Sequence, residues 1–432
     1  MGVRAFRSRV FHLLDDPAKA GAAAWAYFEN GGLLVEGGRI TGLGAWADIA
    51  DKIPPGAPVE TFANAIIAPG FIDAHVHFPQ LGIIGGFGAQ LLDWLERYAF
   101  PAEAKFADAA YALAEAEVFL DALVRCGTTS ALVFASVHKV SAEALFAAAL
   151  RRSMRLITGK VLMDRNAPAA LRDTPESAYA DSKALIEAWH GRGRLGYAVT
   201  PRFAHTSSPA QLDAAGRLLR EHPDVLLHTH LSENRAEIAQ VRAQFPDAPD
   251  YLGAYEKHGL VGDRSVLAHC LHLSDSEWMR MARAGASAAF CPSSNLFLGS
   301  GLFDLVSAER HRVEVGLGSD VGGGASLSLL EVMEDAYKVS QLRGRPLDVM
   351  KSFYLATLGA ARALKIDAHV GNLAPGKEAD FIVLDMAATP MLQRRLRGVS
   401  DIAEILFALS IIGDDRAIAR TYIAGAAAHV RA

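Results

Sequence analysis

Eight short apolar runs, each followed by a polar or glycine-containing loop and then a helical pattern, partition the middle of this chain. They read GFIDAHVH, TSALVFAS, RLITGKVLMD, LGYAVTPRFA, DVLLHTHLSE, SVLAHC, ASAAFCPS and VEVGLGSD. Alanine-rich segments between them, such as FADAAYALAEAEVFLDALVRCG, carry the apolar period of helices. Eight strand-then-helix units in about 300 residues match the count and size of a (β/α)8 barrel of the TIM type. A doubly wound sheet also alternates strand and helix, but it usually carries a glycine-rich phosphate loop after its first strand. GFIDAHVHFPQ is no such loop.

The two ends of the chain read differently. RAFRSRVFHLL and GGLLVEGGRITGLG near the start, and EADFIVLDM and RTYIAGAAAHV near the end, alternate polar and apolar residues between glycine turns, as half-buried strands do. The expectation is an α/β protein with two domains. A barrel domain occupies 67–369, and a small β-sandwich domain is assembled from 1–66 and 370–432. A length of 432 residues exceeds one core and suits this division.

Composition removes several function classes. Apolar residues make up 51% and charged residues 21%, so the chain can bury a core. The net charge of −5, with no basic stripe, argues against a nucleic-acid partner. No apolar run is long enough to span a bilayer, and Asp15 and Asp16 cut short the apolar stretch that a secretory signal needs. Cys126, Cys270 and Cys291 are scattered and form no C-x-x-C pair, which excludes a disulfide framework and a thiolate zinc site. A cytoplasmic protein without a membrane partner is expected.

Polar residues cluster at the ends of the eight runs. His75 and His77 lie two apart, on one face of the first strand; His228 and His230 repeat the spacing on the fifth. His269 ends the sixth run and Asp320 the eighth. Any single histidine among 15 reads first as a packing or surface residue. Convergence of four strands on the catalytic mouth of one barrel overrides that reading, because unpaired polar groups are costly in an apolar setting. Imidazoles with a carboxylate suit a divalent transition ion, zinc first and iron(II) second. His75, His77, His230 and Asp320 are the expected ligands, with His269 beside the ion and His228 behind it. A binuclear site would need a bridging group; Lys160, the one candidate, reads better as a strand-edge residue, so one ion per subunit is expected. Glu233, three residues after His230, suits a proton shuttle and also the N-terminus of the helix that SENRAEI begins.

The ordered blocks PGFIDAHVHFPQ, HTHLSEN, LAHC and GLGSD resemble the amidohydrolase superfamily. LLDWLERYAFPAEAKF, GKVLMDRN, TPRFA, CPSSNLFLGSG and GSDVGGGASLSLL narrow the resemblance to its guanine deaminase family, over nearly the whole chain. The other deaminase fold carries a P-C-x-x-C segment, which is missing here. The resemblance implies a homodimer acting on a small purine, with hydrolytic conversion of guanine to xanthine and ammonia. It also implies that Gln80 and Arg202 read the purine: an arginine donates to a ring carbonyl, and a glutamine amide both donates and accepts. Trp94 and Phe203 would wall the ring, though both also read as core residues, and Arg202 also reads as the partner of a neighbouring acid. In the implied reaction Asp320 takes the proton of the attacking water, Glu233 protonates the ring nitrogen, and His269 stabilises the new oxygen. The rival readings are a hydrolase of the same superfamily acting on another purine, a pterin or a triazine, and an assembly protein that kept the barrel without the chemistry.

Overall fold

The computed structural model describes residues 2–88 and 90–431. Strands β1 (Arg4–Leu13), β2 (Trp25–Glu36), β3 (Arg39–Ala45) and β4 (Val59–Pro69) open the chain. The eight apolar runs then supply β5 (Phe71–His77), β6 (Thr128–Phe134), β7 (Arg155–Gly159) with its short continuation β8 (Val161–Leu162), β9 (Leu195–Pro201), β10 (Leu226–Leu231), β11 (Ser265–His269), β12 (Ser287–Phe290) and β13 (Val315–Leu317). Three further strands, β14 (Phe381–Asp385), β15 (Ile418–Ile423) and β16 (Ala426–Val430), close it.

Strands β5 to β13 form the barrel. All their pairings are parallel and run β13-β12-β11-β10-β9-β7-β6-β5, with β8 also on β9. The seam between the first and last strands closes through backbone: Asp320 N–H donates to the His75 carbonyl (2.8 Å), and His77 N–H to the Val321 carbonyl (2.9 Å). Helices cover the outside, so strands such as TTSALVF are buried end to end, as parallel strands covered on both faces must be. Inside, Ile72, Ala74, Leu132, Val266 and Ala268 pack against Ala360, Ala361 and Leu364, so helix Leu358–Ala363 and the residue after it join the packing inside the barrel. Polar groups are thereby confined to the other end, where the strands stop.

The terminal strands form one seven-stranded mixed sheet in the order β16-β15-β14-β4-β1-β2-β3. Only β1 and β4 pair in parallel. Phe6, Val10, Ile67, Phe381 and Tyr422 fill its core, with the Phe381 and Tyr422 rings stacked at 4.3 Å. We assign 1–66 and 370–432 to this small domain and 67–369 to the barrel domain. Helix Ile402–Ile412, which falls on the small-domain side of that division, packs on the barrel instead: Phe407 meets Tyr337 edge-on at 5.1 Å. Among the described residues no helix is long and apolar enough to cross a membrane.

An ion-pair network ties the sheet to the barrel. Glu378, just before β14, accepts from Arg155 Nη2 (2.6 Å) at the start of β7 and from Arg194 Nε (2.8 Å) beside β9; Arg194 also pairs with Asp380. Removing one member of a buried network leaves uncompensated charge. Glu378→Ala should therefore lower stability by about 3–5 kcal/mol, read as a drop in the thermal midpoint, with function at the strand ends that carry the histidines little changed at 25 °C because the network lies away from them.

Candidate active site

The strand ends bring together every expected ligand. His75 Nε2 lies 3.1 Å and His77 Nε2 3.3 Å from Asp320 Oδ1, and His77 Nε2 lies 3.2 Å from His230 Nε2. His269 Nε2 stands 3.7 Å from Asp320 Oδ2 and 3.5 Å from Glu233 Oε2. Ligand atoms of His75, His230, His269 and Asp320 all fall within 4.8 Å of one another. Close approach of β13 to β5 depends on Gly318, where a Cβ would meet His75 Cβ at 2.8 Å. Asp320 (φ 48°) and His269 (φ 72°) adopt left-handed backbone that β-strands avoid, a conformation held where geometry at a site requires it.

Hydrogen bonds behind the rings aim them. His230 Nδ1 donates to the Arg202 carbonyl at 2.6 Å, which leaves a lone pair on Nε2. His228 Nε2 meets His75 Nδ1 at 2.7 Å, on the ring nitrogen away from Asp320. Asn295 Nδ2 donates to His269 Nδ1 at 2.8 Å. With Nδ1 turned to the Asn295 amide, His269 Nε2 is the ring nitrogen aimed at Glu233 and Asp320. Burial keeps the imidazoles neutral: it lowers His77 to about 4 and His269 to about 3, and holds His228 and His230 well below the usual histidine range.

These residues fit a divalent cation. Two imidazole Nε2 atoms face each other at 3.2 Å next to a carboxylate, and the buried His75 Nε2 has no hydrogen-bond partner among the described residues. A cation at their meeting point satisfies all of them at once. Lys160 takes no part: it is buried in an ion pair with Asp173. Glu233 is buried, and burial together with the charges of Asp320 and Glu237 pushes it well above the usual carboxylate range. Ser300 Oγ donates to its Oε1 (3.2 Å), and Ser294 Oγ donates to Asp320 Oδ2 (2.6 Å).

The cluster opens into a narrow cavity. Gln80, Trp94, Arg202 and Phe203 line it with Leu91 and Leu298, as do His77, His230, Glu233 and Asp320. The four residues expected at the substrate therefore share one cavity with residues of the cluster. Trp94 spends its indole N–H on the Gly86 carbonyl (3.0 Å) and presents ring surface, and Phe203 packs with Trp94, Phe100 and Leu298. Both aromatic residues thus wall the cavity and pack a core. Arg202 does pair with an acid: its Nη1 donates to both oxygens of Glu103, at 2.7 and 2.8 Å, and Gln80 Nε2 donates to the same carboxylate at 2.8 Å. Sequence reasoning passed over Glu103, Ser294, Asn295 and Ser300, although they stand in the AFPAEAKF and CPSSNLFLGSG segments that carried the resemblance. Side-chain type alone gives a serine or a lone glutamate no role.

A barrel with this His/Asp cluster at its mouth defines a class, and the chain belongs to the amidohydrolase family, whose model matches residues 66–427. Within that class it is similar to guanine deaminases. The guanine deaminase of Escherichia coli is 47% identical over 416 residues, covering 96% of this chain and 94% of that protein, and its solved structure superposes with a TM-score of 0.97 over 99% of this chain and 100% of that one. The human guanine deaminase is 32% identical over 370 residues, covering 83% of this chain and 81% of that protein. A guanine deaminase from C. acetobutylicum, solved with guanine bound in its active site, shares 28% identity and a TM-score of 0.88, covering 99% of this chain and 100% of that one.

Proposed function

We propose that the protein is a metal-dependent deaminase that hydrolyses guanine to xanthine and ammonia. The observation that carries this reading is one cavity lined both by His77, His230, Asp320 and Glu233 and by Gln80 and Arg202. The likeness over the full chain to guanine deaminases supports it. His75, His77, His230 and Asp320 would hold one ion per subunit, zinc by the nature of the donor set, with iron(II) as its rival. When bound, such an ion makes a water more acidic and polarises the developing oxygen. Asp320 accepts the proton of the attacking water. Glu233, already protonated, delivers its proton to the ring nitrogen beside the carbon under attack. His269 Nε2–H donates to the new oxygen. The proton taken by Asp320 goes to the amino group, the proton of the new hydroxyl returns to Glu233 as the carbonyl forms, and ammonia leaves. Arg202 and Gln80 bind and orient the base. A homodimer and a cytoplasmic location rest on the resemblance and on the sequence, and no partner beyond the purine is proposed.

The test is ammonia release from guanine, with and without a chelator, and from adenine. Arg202 has donors only, so it satisfies the guanine carbonyl but opposes the amino group of adenine. A site built on hydrogen bonds rejects the wrong partner by orders of magnitude. Guanine should be turned over, chelation should abolish the activity, and adenine should give no useful rate. Arg202→Lys keeps the charge that Glu103 needs but loses the planar fork; kcat/KM for guanine should fall by roughly 10²-fold, the scale of one or two charged hydrogen bonds. Parent-like kinetics in that variant would remove Arg202 as the purine reader.

A further inference from the structure

The cavity wall that would read the purine is organised by one residue outside it. Glu103 is completely buried, in the short helix Phe100–Ala104 that follows the cavity-lining segment with Trp94. Its Oε1 accepts from Gln80 Nε2 (2.8 Å) and Arg202 Nη1 (2.7 Å), and its Oε2 accepts from Arg202 Nη1 (2.8 Å). The backbone carbonyl of Glu103 accepts from Ser136 Oγ (3.0 Å), which fixes the helix to the end of β6. From the same helix, the Phe100 ring lies 5.6 Å from the Arg202 guanidinium carbon. One turn of helix thus grips the guanidinium by charge and by a ring face.

We propose that Glu103 is the positioning residue that makes this pocket a reader of a ring carbonyl: its carboxylate ties down Gln80 and Arg202 together and leaves only their remaining polar atoms to face the base. For Gln80 the consequence is orientation. Its Oε1 accepts from Gly322 N–H (3.1 Å) while its Nε2 donates to Glu103. Turning the amide over would set nitrogen against N–H and oxygen against carboxylate, two repulsions in a buried place. One Nε2 hydrogen and one Oε1 lone pair therefore stay aimed where they are. For Arg202 the consequence is selectivity. Nη1 is committed to Glu103, and neither Nη2 nor Nε has a hydrogen-bond acceptor among the described residues. A guanidinium held at a cavity wall with donors to spare wants an acceptor there. A purine with a carbonyl supplies one; 2-aminopurine, which carries the same amino group at the same carbon but no carbonyl, does not.

This inference rests on the guanine reading, and the experiment keeps the two apart. Ammonia release is measured for guanine and 2-aminopurine with the full-length metal-loaded parent, Glu103→Gln and Glu103→Asp, alongside metal content per chain. The parent should favour guanine by orders of magnitude. Glu103→Gln keeps the shape but replaces one carboxylate oxygen by a donor that opposes Gln80 or Arg202. Its preference for guanine over 2-aminopurine should fall by roughly 10-fold or more, through KM for guanine more than through kcat, with metal content kept. Glu103→Asp keeps the charge on a stem one methylene shorter that does not reach both partners; its preference should fall by less, and it decides the matter if Glu103→Gln is insoluble. A parent-like preference in either soluble variant overturns the proposal. So does a loss of metal with equal losses on both bases, because that is the mark of a residue that only supports the fold. A parent that releases no ammonia from guanine refutes the substrate reading itself.

Discussion

His77→Ala should lose metal and activity together. His77 Nε2 meets both Asp320 (3.3 Å) and His230 (3.2 Å), so removing the ring takes away a donor beside two other expected ligands. Three protein ligands remain, and a divalent ion held by three donors in a pocket shaped for four exchanges readily. Affinity for the ion should fall by roughly 10–100-fold at the least, the size found even for residues that only support a ligand. The check is elemental analysis of the purified variant beside its rate on guanine, with excess zinc added back. Full occupancy and full activity in His77→Ala would dissolve the assigned ligand set. Recovery of rate at high zinc would confirm that the loss is one of affinity and not of folding.

Glu233→Gln should separate proton transfer from binding of the ion. The two side chains have the same shape, and Ser300 can still donate to the amide oxygen as it does to Glu233 Oε1. The amide carries no proton to give up. Burial beside Asp320 and Glu237 favours the protonated form of Glu233, and that property vanishes with the carboxyl. A positioned acid–base group contributes about 10²–10⁴-fold, so kcat should fall within that range while metal content stays at the parent level. Metal loss comparable to that of His77→Ala would make Glu233 a ligand and require the roles to be reassigned.

The convergence of the histidines and the aspartate was legible in the chain because strand geometry is simple. Side chains two apart share a face, and barrel strands end at one mouth, so His75, His77, His230 and Asp320 are bound to converge once the eight strands are recognised. Glu233 was legible for the same reason, being three residues beyond a strand-end histidine. Glu103 was not. It lies 99 residues from Arg202 and 23 from Gln80, and only the folding of the segment after β5 across the barrel mouth sets its carboxylate between them. Ser294 and Asn295 are equally remote from the groups they serve, Asp320 and His269.

What the sequence determined by itself is the alternation of strands and helices, the pairing of the two β-rich ends, and the residue types that can hold an ion, because these follow from local periodicity and from side-chain chemistry. What the tertiary structure decided is which nitrogen each histidine turns to the cluster, that Asn295 backs His269 from behind, and that Arg202 reaches the cavity already half engaged by a buried carboxylate. Those properties depend on hydrogen bonds between residues far apart in the chain. Periodicity carries no information about such bonds, and close packing around a closed barrel leaves each of them a single geometry.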